Sequence, residues 1–168
     1  DTIYHEHLSY FSVQSVAALF LRNGLAIHRI LRVPIHGGSI RLYASAGTRH
    51  DPSVESILED ESVLGMNHPA FYESFADRVG GLRESLVNLL KSLKKDGKRI
   101  AGYGAAAKSS ILLNYCGLDQ GTIDFVADRS PHKQGRRIPG CGVPILSPEA
   151  LMQHKPDYVL LLAWNFAE

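Results

Sequence analysis

Apolar residues recur along this chain at two different spacings, and the change between them separates three regions. Spacings of three and four residues predict three helices, over 8–24, 53–65 and 70–95. After the first helix, β-type residues flank an H-G-G-S turn and predict an antiparallel hairpin of strands 25–33 and 39–46. From residue 98 onwards, short apolar runs alternate with helical stretches, which is typical of parallel strands connected by helices.

The apolar pattern also predicts how particular elements begin and which side chains they bury. Ser9 or Ser12 is expected to cap the first helix. Val63 or Leu64 is expected on the inward face of the second helix, because it continues the apolar spacing there. Near the end of the chain, the almost uninterrupted apolar run 158–163 predicts a central strand of a parallel sheet.

The stretch 98–115, read as K-R-I-A-G-Y-G-A-A-A-K-S-S-I-L-L-N-Y, predicts a strand, a glycine turn and a helix. Gly102 is expected to take backbone angles closed to other residues, and Gly104 to let a ligand approach the main chain. The helix would direct its first N–H groups and its positive dipole end at an anion, with Lys108 adding a charge. We therefore predict a phosphate cradle formed by Gly102, Tyr103, Gly104, Ala105, Ala106 and Lys108. The alternative is that the glycines only form a compact turn without a ligand.

An acidic residue, Asp128, follows the next predicted strand, 123–127, where the dinucleotide-binding fingerprint places one. Asp128 opens a polar loop, 128–140, whose basic residues include Lys133. Two alternative functions stay open here: a NAD(P)-binding oxidoreductase fragment, and a non-catalytic nucleotide-binding module.

Composition narrows the classes of function. The 168 residues carry a formal net charge of +1, which gives no basis for nucleic acid or an anionic membrane as a partner. Two cysteines make neither a disulfide framework nor a zinc site, and they fit a reducing, cytoplasmic location. No stretch approaches the roughly 20 apolar residues of a membrane span, and no signal peptide is visible. The character of both ends suggests a fragment of a longer protein.

The densest group of titratable residues is Tyr4-His5-Glu6-His7. In an extended backbone, Tyr4 and Glu6 would point to one side, and the two histidines to the other. A histidine near pH 7 is able to accept a proton, and a carboxylate or phenol orients it or stabilises its charge. The alternative is a polar segment that leads into the first helix. Because no third metal ligand is evident, no metal site is predicted.

Five motifs occur in order: Y-H-E-H-L-S-Y-F-S, P-I-H-G-G-S-I-R, G-Y-G-A-A-A-K-S-S-I-L-L-N-Y-C-G, D-R-S-P-H-K-Q-G-R and P-D-Y-V-L-L-L-A-W-N. This set closely resembles the C-terminal part of the sugar C-methyltransferases. These enzymes use S-adenosylmethionine to methylate a carbon of a nucleotide-linked keto-deoxysugar. The resemblance covers nearly the whole chain and is weakest over 47–97. The family commonly has A-P-A-K where this chain has A-A-A-K, so the turn is expected to be less rigid.

The resemblance implies roles for individual residues. His7 would be the base that removes the proton next to the keto group, while Tyr4 and Glu6 would position the sugar or steady the enolate. The enolate would be the nucleophile towards the methyl sulfonium. His36 would approach the same site or be a structural turn residue. Asp128 or Lys133, in the loop 128–140, would contact the ribose or the diphosphate; the alternative is that the basic residues of this loop are simply solvated. S-adenosylmethionine would be bound mainly by an upstream domain, and zinc only in an upstream module.

Together these inferences predict an α/β protein whose Rossmann-like parallel sheet is preceded by a helix, a hairpin and a long connecting helix. Residues 1–50 would be the end of a methyltransferase domain, 51–97 a helical connection and 98–168 a nucleotide-sugar-binding domain. The expected partner is a nucleotide sugar, such as a dTDP-linked one, with no nucleic acid or membrane and an oligomeric state left open. The chain by itself is expected to be inactive.

Overall fold

The computed structural model describes residues 7–35, 38–47 and 51–164. The elements in these ranges, in chain order, are α1 (Val13–Arg22), β1 (Ala26–Val33), β2 (Ser39–Ser45), α2 (Pro52–Val63), α3 (Pro69–Lys95), β3 (Ile100–Tyr103), α4 (Ala107–Cys116), β4 (Val126–Ala127), β5 (Ile145–Leu146), α5 (Glu149–His154) and β6 (Tyr158–Leu161). Residue contacts divide the chain into two compact units, Leu8–Arg78 and a second unit that includes everything described from Val79 onwards.

In the Leu8–Arg78 unit, α1 and α2 pack against the hairpin of β1 and β2. The two strands are antiparallel, with Val33 opposite Ser39 beside the turn and a register shift between Ile27 and Arg29. The buried core of this unit consists of Val13, Ile27, Ile30, Val54 and Ile57. The hairpin predicted from the β-type residues around the H-G-G-S turn is therefore confirmed.

The first turn of α1 is capped from two directions. Ser12 is the cap residue, since its Oγ accepts the N–H of Ser15 at 3.1 Å, and Ser15 Oγ accepts the N–H of Ser12 at 3.0 Å. The carboxylate of Glu61, on α2, accepts the N–H of Val13 at 2.6 Å and that of Gln14 at 2.8 Å. Because Glu61 is only 8% exposed, a nearly buried charge holds the start of α1 against α2.

The inward face of α2 differs from the prediction at its C-terminal end. Val54 and Ile57 are buried, but Val63 and Leu64 are 82% and 61% exposed. The inward row instead continues at position 61, at helical spacing from 54 and 57, and that position holds Glu61. The prediction for Val63 and Leu64 was wrong because a carboxylate fills the inward position that apolar spacing reserves for a hydrophobic residue.

The second unit is built on a parallel four-stranded sheet in the order β5-β4-β3-β6. Within β3, Gly102 pairs with Val126 of β4 on one side and with Leu160 of β6 on the other. One cluster of buried side chains on this sheet includes Leu90, Ile100, Leu113, Ile123, Val126, Ile138 and Leu162. A second cluster consists of Ala101, Phe125, Ala127 and Ala150. The predicted fold class is confirmed.

The last strand, β6, lies at an edge of the described sheet, whereas the sequence predicted a central position. Tyr158, Val159 and Leu161 are all exposed, and β6 pairs with β3 alone among the strands described. The prediction was wrong because an apolar run shows a preference for burial and does not identify the neighbouring strands. The inner strands are β3 and β4, and Ile100 and Ala101 of β3 are completely buried.

The longest helix, α3, spans 27 residues, and its second half packs on the sheet of the second unit. Leu90 is buried there, with Leu86, Val87 and Leu93 partly buried beside it. Within the described ranges, no helix combines the length and the apolarity that crossing a membrane requires.

Candidate functional site

Three chain segments leave the sheet at the carboxyl ends of β3, β4 and β6, the edge at which open α/β sheets bind ligands. Gly104 follows β3, Asp128 follows β4, and residues 162–164 follow β6. The chain bends through Gly104, Ala105 and Ala106, and α4 begins at Ala107 after an extended Ala106. The predicted order of strand, glycine turn and helix is thus present at this edge.

The special backbone angle predicted for Gly102 is found at the other glycine of the turn. Gly104, not Gly102, has the left-handed backbone, with φ of +93°. A β-carbon on Gly104 would lie 2.8 Å from the Cβ of Ala163. Gly102 lies inside β3, where a β-carbon would lie 2.8 Å from Leu162 Cδ1 and 3.0 Å from Val126 Cγ2. The absence of a side chain at Gly102 therefore allows neighbouring strand side chains to pack over the main chain.

Most main-chain N–H groups of the predicted cradle donate within the protein. Gly102 N–H donates to Phe125 O and Gly104 N–H to Ala127 O, each at 2.8 Å. Ala105 N–H donates to Asp128 Oδ2 at 2.6 Å, and Ala106 N–H donates to Ser109 Oγ at 3.1 Å. In this conformation, a phosphate at the sheet edge would meet side-chain cations and the start of α4 rather than these four groups.

Asp128 connects the glycine turn to the polar loop that follows β4. Its Oδ2 accepts the N–H of Ala105, and its Oδ1 accepts the N–H of Ser130 at 2.8 Å. Its main-chain carbonyl accepts a bond from Gln134 Nε2 at 3.0 Å. Since the side chain is only 11% exposed and both oxygens accept main-chain donors, Asp128 is oriented into the protein.

Two lysines lie at this edge in different surroundings. Lys133 Nζ donates to Ala105 O at 2.8 Å and lies 3.6 Å from Asp128 Oδ2, with the side chain 44% exposed. Lys108 Nζ lies over the ring of Trp164, 5.2 Å from its centroid. The structure therefore groups Ala105, Asp128 and Lys133 together, and it places Lys108 beside Trp164, to which the sequence analysis assigned no site role.

Hydrogen bonds hold the polar loop after Asp128 at several positions along its length. Gly135 N–H donates to Ile145 O at 2.9 Å, and the buried Ile138 exchanges main-chain bonds with Val143 and Gly142. Asn114 Nδ2, on α4, donates to Pro139 O at 2.9 Å. These bonds indicate that the loop is an ordered part of the second unit, so the main chain that carries Lys133 has a fixed position.

The amino-acid sequence of this chain is similar to those of known proteins. Residues 34–168 match the family model described as the C-methyltransferase C-terminal domain. The chain belongs to this family. It is also 44% identical over 170 residues to the C-methyltransferase NovU of Streptomyces niveus. That alignment covers 99% of this chain but 40% of NovU, so the chain spans about two-fifths of the length of this relative.

Membership of the C-methyltransferase family confirms the family predicted from the five motifs and indicates S-adenosylmethionine as the general class of methyl donor. The described residues do not fit the donor well. An adenosine ribose needs an accessible acceptor such as a carboxylate, and the Asp128 side chain is only 11% exposed and accepts two N–H groups of the protein. Within the described ranges, no group of three His, Cys, Asp or Glu side chains is arranged to hold a metal ion.

Most of the residues that were predicted to take part in catalysis lie outside the described residues. His7 is exposed, while Tyr4, Glu6 and His36 lie outside the described residues. Their roles stay predictions, as do the ligand roles of the turn residues. The sequence analysis did not identify Ser109, Ala163 or Trp164 as part of this edge. Because 158–163 was predicted as a parallel strand, the residues that follow it could have been assigned to the same edge as Gly104.

Proposed function

We propose that this chain is the C-terminal part of an S-adenosylmethionine-dependent enzyme that methylates the carbon next to the keto group of a nucleotide-linked deoxysugar, with dTDP as the carrier. The observation that carries the proposal is the match of residues 34–168 to the C-methyltransferase C-terminal domain. The order of the five motifs supports a nucleotide sugar as substrate. The basic side chain of Lys133 at the sheet edge supports a ligand with phosphate groups.

The inward orientation of Asp128 argues against the alternative of a dinucleotide-dependent oxidoreductase. In dinucleotide-binding folds, the acidic residue after the second strand accepts hydrogen bonds from the ribose hydroxyls. Here the Asp128 side chain is only 11% exposed, and its two oxygens accept main-chain N–H groups of the protein at 2.6 and 2.8 Å. The feature that favoured the oxidoreductase in the sequence is therefore used to hold the turn.

In this proposal, His7 is the base that prepares the sugar carbon for methylation. The hydrogen next to a ketone is acidic enough for a positioned imidazole to remove it. General-base catalysis contributes roughly 10²–10⁴ in rate. Tyr4 and Glu6 would bind the sugar or stabilise the enolate oxygen, an effect that is often as large. The cytoplasmic location and the inactivity of the chain alone stay predictions.

The test of the base uses the complete protein with its keto-sugar nucleotide in deuterated water. Exchange of the hydrogen next to the keto group, followed by NMR or mass spectrometry, reports proton removal without methyl transfer. His7→Asn should abolish this exchange and the methylation while leaving binding of the nucleotide sugar unchanged. His5→Asn is the matched control and should retain both reactions. Exchange that persists in His7→Asn would remove His7 as the base.

The test of the ligand class is a calorimetric titration of the complete protein with dTDP, dTDP-sugar and NADH. We expect heat from the two thymidine nucleotides and none from NADH. Binding of NADH with displacement by NAD would favour the oxidoreductase instead. Binding of dTDP without any methylation of keto-sugar nucleotides would favour the non-catalytic module.

A further inference from the structure

We propose that Asp128 is a positioning residue that acts through Lys133, and that Lys133 is the side chain that contacts the phosphates of the nucleotide. This inference rests on the proposed nucleotide-sugar function and deepens it by naming the group that meets the diphosphate. In the sequence analysis, Asp128 and Lys133 were alternative contacts for the ribose or diphosphate and Lys108 was the cation of the cradle, whereas here the phosphate contact is assigned to Lys133.

The contacts of Asp128 determine its role. A carboxylate whose two oxygens accept the N–H groups of Ala105 and Ser130 holds together two segments that follow different strands. Removing either bond would leave a nearly buried polar group without its partner, which is costly. Asp128 therefore fixes the relative position of the glycine turn and the start of the loop, where Lys133 is attached.

Lys133 is held by the same cluster but still faces solvent. Its ammonium group donates one bond to Ala105 O and lies near Asp128 Oδ2, while 44% of the side chain is exposed. An ammonium group has three N–H donors, so the bond to Ala105 O leaves donors for a phosphate at the sheet edge. Lys108 differs, because its ammonium lies against the face of Trp164.

Asp128 and Lys133 together also determine the local charge that a phosphate at this edge would meet. With Lys133 in place, the carboxylate of Asp128 is compensated by an ammonium group 3.6 Å away. Without that ammonium, the carboxylate would remain beside the start of α4 and repel an approaching anion. Loss of Lys133 should therefore weaken phosphate binding in two ways, by removing an attraction and by exposing a repulsion.

The experiment is calorimetric titration of the complete protein with dTDP and, separately, with thymidine. Lys133→Met keeps an unbranched side chain one atom shorter than that of Lys and removes its charge. It should weaken dTDP binding roughly tenfold to a hundredfold, as expected for a charge-assisted hydrogen bond. Thymidine binding should not change. Arg129→Gln is the matched control, because Arg129 is an exposed cation of the same loop, and it should leave both affinities unchanged.

A double-mutant cycle tests whether Asp128 acts through Lys133. Asp128→Asn should weaken dTDP binding when Lys133 is present, and it should have no effect or a favourable one in the Lys133→Met background. Equal effects of Asp128→Asn in both backgrounds would overturn the positioning role. The thermal transition of Asp128→Asn shows whether this variant folds. If it does not fold, the comparison of Lys133→Met with Arg129→Gln still tests the phosphate contact.

The outcomes separate this inference from the proposed function. If the unmodified protein binds dTDP and Lys133→Met binds it equally well, the contact assigned to Lys133 is wrong while the nucleotide function stands. If the unmodified protein binds neither dTDP nor a dTDP-sugar, the proposed function itself fails. Equal weakening of dTDP and thymidine by Lys133→Met would show a structural effect and overturn the phosphate contact.

Discussion

Replacement of Glu61 by Gln tests the charged cap that joins α2 to the start of α1. The carboxylate accepts two N–H groups, at 2.6 and 2.8 Å, and only 8% of the residue is exposed. Gln keeps one carbonyl acceptor but places an amide donor against the second N–H group. Loss of one bond to a charged acceptor costs about 1.5–3 kcal/mol. The lost interaction with the helix dipole adds a further ~0.3–1 kcal/mol.

We therefore expect Glu61→Gln to lower the free energy of unfolding by about 2–4 kcal/mol, or the melting temperature by roughly 4–16 °C for a chain of this size. Urea denaturation followed by circular dichroism measures the first quantity, and hydrogen exchange at the N–H of Val13 and Gln14 localises the effect. Glu59→Gln, an exposed neighbour on α2, is the control and should change stability by less than ~0.5 kcal/mol. Equal stability of Glu61→Gln and the unmodified protein would refute the reasoning.

Four further outcomes follow from single residues. Gly104→Ala should lower stability by about 1–2 kcal/mol or more in urea denaturation, because its φ is +93°. Gly81→Ala should raise stability by about 0.5–1 kcal/mol, since nothing lies within 4 Å of the added carbon. Burial raises the pKa of the Cys116 thiol, so iodoacetamide should label Cys141 first. Hydrogen bonds from Ser53 lower the pKa of Asp51, so its helix-capping contribution should be lost only as the pH falls through that lowered value, and Asp51→Asn should remove this acid dependence of unfolding.

Helix starts, turns and hairpins were predictable where residues close together in the sequence determine them. The hairpin follows from β-type residues on either side of a glycine turn, and Ser12 precedes the first apolar residue of α1 with Ser15 at capping-box spacing. The bend between β3 and α4 follows from Gly104, whose φ is +93°. In each case, residues within a few positions of one another determine the structure.

Features that depend on distant neighbours were not predictable. The apolar run of β6 did not reveal that the strand lies at the edge of the described sheet. The roles of Gly102 and Gly104 depend on which strand side chains pack over them, chiefly Leu162 and Ala163. Likewise, the charge of Glu61 is nearly buried because a helix begins beside it 48 positions earlier in the chain. These errors share one cause, which is that tertiary partners are absent from local patterns.

Asn114 and Gly140 illustrate how tertiary contact limits the sequence variation open to this fold. Asn114 on α4 lies directly against Gly140, where any side chain would collide with its amide, and Gly140 also has a φ of +83°. A larger residue at 140 would thus require a smaller one at 114, and the shorter residue would forfeit the bond to Pro139. Across related proteins, positions 114 and 140 should consequently change together, while exposed positions of the same loop should vary independently of each other.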